Sequence, residues 1–261
     1  MLLSGIESVQ NANNPDFEDL RMHKTHRIAS LGAGLVALLL IAPAHGLSLN
    51  KSIKIDAGSQ TGGQSSVNGS ITVGAGSVID GSLSTVNGSI RVAENVTLDD
   101  AETVNGTIRI ESGSSADDVS SVNGSIRLGE NVTVGGEVEV VNGKISLDKG
   151  TKVADGVSNV NGEISLTGSQ VGGDLSTVNG DVSLHDGSTL AGNLVVEKPG
   201  GWGRNNDKRK PKVIIGPGSK VVGRIMLERE VELYISDSAE VGGVSGEMSM
   251  DDAVIFSGDR P

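Results

Sequence analysis

From residue 65 to residue 185 the chain alternates apolar and polar positions in a rhythm that returns every 18 or 19 residues. The tripeptide Val-Asn-Gly marks each return and occurs seven times, with asparagines at Asn68, Asn87, Asn105, Asn123, Asn142, Asn161 and Asn179. Three residues after each Asn stands Ile or Val, as at Ile71, Ile108 and Val182. Five residues after it stands a second aliphatic, as at Val73, Ile110 and Leu184. A polar residue such as Thr72, Arg91, Arg109 or Arg127 lies between the two. Such alternation predicts a strand with one buried and one wet face. Further apolar positions fall roughly ten and fifteen residues after the Asn, as at Val78 and Leu83, or Val153 and Val157.

Each repeat therefore predicts about three short strands separated by turns. The fold class that follows is all-β: a single-stranded β-helix, or β-solenoid, with triangular coils of 18–19 residues. Roughly nine or ten coils over residues 47–246 would stack at about 4.8 Å each, giving a rod about 45 Å long. No coil can bury its apolar edge alone, so neighbours stabilise one another and the ends are edges that need a cap or a partner.

The Asn-Gly pair suits a corner, because Gly accepts positive φ and Asn tolerates the left-handed region. Recurrence at one phase also predicts a ladder of asparagine amides bonded along the axis. Simple turn chemistry without a ladder is the alternative, though Ser or Asp would serve a turn equally well.

Composition fits this picture. Glycine is abundant at 38 residues and aromatics make up only 2% of the chain. Val and Ile must therefore fill a narrow core with flat walls. The formal charge of −12 argues against a general nucleic-acid binder. With no cysteine, disulfides and thiolate metal sites are excluded, and an exported form must be stable without them.

The rhythm is absent at both ends and once in between. Residues 22–46 read as a secretory signal: Lys24 and Arg27 precede an apolar run around Leu35 to Ile41, and Ala42-Pro43-Ala44 or Ala44-His45-Gly46 fits a cleavage site. An uncleaved N-terminal anchor is the alternative. Residues 1–21 are polar and precede a methionine, Met22, that suits a signal start, so they are expected to be a mis-assigned start or an extension. After solenoid repeats at 47–196, residues 197–212 (EKPGGWGRNNDKRKPK) hold six basic residues against two acidic ones and read as a loop. Final coils are expected at 213–246. A C-terminal cap or tail follows at 247–261, with Val254-Ile255-Phe256 as its apolar part.

Candidate chemistry is sparse. After signal removal His185 is the one histidine left, and a lone turn histidine supports no catalytic constellation. Asp99, Asp100, Asp117 and Asp118 form two pairs 18 residues apart. Stacked, they could hold a cation or a sugar, although a solvated turn face is the plainer reading. Arg204, Lys208, Arg209, Lys210 and Lys212, near Trp202, could contact an anionic lipid surface or an acidic polysaccharide, or could simply keep the loop soluble. The Asn-x-Ser/Thr triplets are by-products of the turns. No cofactor or metal is expected.

The Val-Asn-Gly-Ser-Ile turns, with stretches such as Val171-Gly172-Gly173-Asp174-Leu175, resemble the bactofilin, or polymer-forming cytoskeletal, family over about residues 52–244. That resemblance implies a right-handed β-helix that joins end to end into filaments and acts as a scaffold, usually in the cytoplasm. The signal segment and the basic insertion depart from it. The same rhythm is similar to a family of bacterial adhesin-like β-solenoids. The leading expectation is a non-enzymatic scaffold of the bacterial envelope, periplasmic or at the cell surface, with a homopolymer as its partner. An adhesin-like module for surface carbohydrate or anionic polymer is the alternative, and a carbohydrate-active enzyme working through the aspartate pairs is the third reading.

Overall fold

The computed structural model describes residues 47–200 and 209–261, and over these the chain is a β-solenoid of about ten coils. Each coil contributes three strands. In one coil these are Thr97–Leu98, Ala101–Asn105 and Ile108–Ile110. Every strand pairs in parallel with its counterpart one coil away. The strands of the third face form an 11-stranded parallel sheet, from Ile53–Ile55 to Val254–Phe256. The first two faces merge into one sheet because, in the opening coils, Gln60–Asn68 and Val78–Asn87 run unbroken around the corner between them.

The register explains the sequence rhythm. Ile71, Ile90, Ile108, Ile126, Ile145 and Ile164 stack as a fully buried column, and Val73, Val92, Ile110, Leu128, Leu147 and Leu166 form a second. Aliphatic side chains at one spacing, β-branched throughout the first column, fill a narrow interior without aromatic rings. The inward position of the first face lies one residue later than the sequence reading placed it in that coil. Ile79 is buried, while Val78 faces out and is exposed. Leu83 and Val157 are buried as expected.

The expected left-handed chemistry recurs mainly at a different corner, although Gly162, beside the ladder residue Asn161, has φ of +124°. Among the described residues, the left-handed conformation recurs just before the first face, at Gly58, Gly76, Asn95, Gly113, Asn131 and Gly150, with φ between +56° and +76°. None of the ladder asparagines has positive φ. Glycine is needed beside them for space. A Cβ on Gly88, Gly106, Gly124 or Gly162 would lie under 3.0 Å from the carbonyl oxygen of the matching glycine one coil below. Only hydrogen fits where backbone stacks this tightly.

The expected final coils are present as two, built on Lys212–Ile215 and Glu232–Ser236. Val254–Phe256 adds one more strand to the third face, pairing with Tyr234–Ser236. Only Phe256 of the three is buried; Val254 is 54% exposed and Ile255 56%. Residues 1–46, and with them the signal segment and proposed start, lie outside the described residues.

Candidate functional site

The asparagine corner is the most regular polar feature. Each side-chain amide donates to the carbonyl oxygen of the asparagine one coil earlier, at 2.8–3.1 Å, from Asn179 down to Asn68. The seven expected residues therefore form the predicted ladder, and Asn68 continues it by donating to Asn50. Asn50 sits in Asn-Lys-Ser-Ile, which lacks the marker tripeptide but keeps its phase. Because every rung points the same way, the ladder has a donor end at Asn50 and an acceptor end at Asn179.

Arg229 closes the acceptor end. Its guanidinium donates to Asn179 Oδ1 at 2.9 Å and to the Val178 carbonyl at 3.3 Å. It also donates to the Arg209 carbonyl, tying the exit of the 197–212 segment to the ladder. That segment thus leaves the stack at the corner where the asparagines stop.

A second row lies inside. Ser66, Thr85, Thr103 and Ser121 are buried, and each hydroxyl donates to the backbone carbonyl of the corner residue one coil below: Lys51, Gly69, Gly88 and Gly106. A corner carbonyl turned inward would otherwise be stranded in the core, at a cost of about 1–3 kcal/mol. The working motif is therefore [Ser/Thr]-Val-Asn-Gly. Its hydroxyl position was readable in the sequence, where Ser or Thr precedes Val in most copies.

The basic segment is only partly described, since Arg204 and Lys208 lie outside the described residues. Arg209 pairs with Asp181. Lys210 meets Glu230 at 2.7 Å, and Lys212 lies 4.0 Å from Glu232 and 5.3 Å from the Tyr234 ring centre. These are exposed pairs between the segment and its own solenoid, and solvent screens them.

The aspartates stack as expected and act as corner acceptors. Asp100 takes the Ser82 hydroxyl at 2.8 Å and the Asp118 N–H at 3.3 Å, and Asp118 takes the Glu137 N–H at 2.7 Å. Beside them on the second face is Glu102, only 8% exposed although it points outward. Burial, then the charges of Asp100 and Asp118, push its pKa up to about 7. Nearby, a cavity of about 300 Å³ is lined by Glu137, Glu139, Asp155, Asp174 and Glu197. Among the described residues no three acidic or histidine side chains gather closely enough to hold a metal ion. His185 is half-buried, and the neighbouring Ser188 hydroxyl donates to its backbone carbonyl at 2.6 Å.

Comparison with family models, with curated proteins and with solved structures finds no match to this chain.

Proposed function

We propose that this chain is a non-enzymatic scaffold of the bacterial cell envelope that joins copies of itself through the ends of its solenoid. The observation that carries the reading is the open C-terminal end. Val254–Phe256 is an edge strand with a free backbone row, and Val254, Ile255 and the adjacent Met250 are exposed there. Large exposed aliphatics beside an unpaired parallel edge favour addition of another strand. The opposite end of the described residues offers a matching partner. Ile53–Ile55 opens the third face, and Leu49 is 64% exposed near it. Export rests on the signal-like residues 22–46. The adhesin-like reading draws less support, because Arg209, Lys210 and Lys212 face carboxylates of their own chain.

Sedimentation of the full chain at rising concentration tests the scaffold reading. The expected result in high salt, where contacts between charged flanks are screened, is a series of species growing by one chain mass, collapsed to monomer in the double variant Val254→Asp/Ile255→Asp with its circular dichroism unchanged. A monomer at every concentration would overturn the reading.

A further inference from the structure

The end-to-end reading leaves the charges on the flanks without a role, and these are distributed unevenly. On the third face Arg91, Arg109 and Arg127 stand in register in three consecutive coils, all exposed. Around the corner of the second face, Asp99 stacks under Asp117 and Asp100 under Asp118, with Glu102 set between them. Among the described residues no cation reaches any of these five carboxylates, whereas the acids near the C-terminal coils, Glu230, Glu232 and Glu240, all face lysines. Among the described residues Glu102 is more than nine-tenths buried, its side chain has no hydrogen-bond partner, and the charges that act on it are those of Asp100 and Asp118. A carboxylate so placed lacks the counter-charge that burial demands.

We propose that the acidic patch around Glu102 is a lateral docking surface for the arginine row of a second copy of this chain. Three features select that occupant. The two rows have the same axial repeat, because both are set by the coil spacing, so arginines and carboxylates match rung for rung when two rods lie parallel. Both occupy the same part of the rod, so no large axial offset is required. Arg91 has no ion pair among the described residues, and the pairs that Arg109 makes with Glu111 and Arg127 with Asp148 are exposed and easily exchanged. The overall negative charge does not prevent this contact, since charges farther apart than about 8 Å are largely screened at physiological ionic strength. Donor row and acceptor patch lie on different faces, so the contact is heterologous and leaves each rod free to bind another neighbour. End contacts would lengthen filaments and this contact would bundle them.

The test uses full-length chain carrying Val254→Asp/Ile255→Asp, so that end contacts are blocked. This background should still self-associate, and the association should weaken at least tenfold between low and high salt. Arg91→Glu/Arg109→Glu removes the row, and Asp99→Arg/Asp117→Arg removes the patch without touching the corner acceptors Asp100 and Asp118. Each variant alone should be monomeric, and an equimolar mixture, in which every row meets a patch of opposite sign on the other variant, should recover association with the two chains in equal amounts by light scattering. The proposal is overturned if the end-blocked chain is monomeric, or if the reversed variants associate as it does. It is also overturned if the patch takes up polylysine while the chains stay apart, which would assign it to a foreign polycation.

Discussion

One added methyl group separates the two glycine roles. At Gly106 a Cβ would press on the Gly88 carbonyl, which is backbone held in the stack and unable to yield. Gly106→Ala should therefore cost about 3 kcal/mol, the upper end for overpacking. Gly76 has open space around it but φ of +68°, so Gly76→Ala should cost only about 1 kcal/mol of backbone strain. Chemical denaturation of the two variants checks this order, and equal losses would contradict it. Asn105→Ala breaks two ladder bonds at once, yet the freed groups of Asn87 and Asn123 are exposed and water can take them. A loss of about 1 kcal/mol is expected.

Glu102 gives a pH signature at the same scale. Its folded pKa lies near 7 against an ordinary 4.5, so the folded state holds the proton more tightly. Its contribution is fully present below pH 4.5, falls as pH rises, and is lost above pH 7. Glu102→Gln should be neutral at pH 4 and stabilise the chain by about 3 kcal/mol at pH 8. A flat difference between the two pH values would contradict the burial argument.

At the scale of the element, the coil was legible because period-2 alternation and an 18-residue return are both properties of a stacked strand. Columns such as Ile71 to Ile164 and the asparagine ladder follow from phase alone. Three things did not follow. The left-handed corner is marked by changing residues, Gly58 in one coil and Asn95 in another, so no constant motif announces it. Val78 and Ile79 are both apolar, and only the register decides which enters the core. Arg229 is separated from Asn179 by an insertion, although Val195-Val196-Glu197-Lys198 and Met226-Leu227-Glu228-Arg229 share a pattern that places a cation at the ladder phase. Arg229→Ala should free Asn179, Val178 and the Arg209 carbonyl together. In a stack that couples only neighbours, hydrogen exchange should quicken in Leu175–Thr177 and Lys212–Ile215 and stay unchanged in Ile90–Val92.

At the scale of the whole molecule, the rod is held by repetition and is least satisfied where repetition ends. Among the described residues, the stacking stops at the donor end of the ladder at Asn50 and at the edge strand Val254–Phe256. Between them the flanks carry opposite charges on different faces. On the proposed reading, further copies continue the chain along its axis and the charged rows set how neighbouring rods lie. Cryo-electron microscopy of the purified full chain addresses the axial claim most directly. The account predicts filaments whose diffraction keeps an unbroken spacing of about 4.8 Å across the joins between chains. Isolated rods one chain long at all concentrations would contradict it.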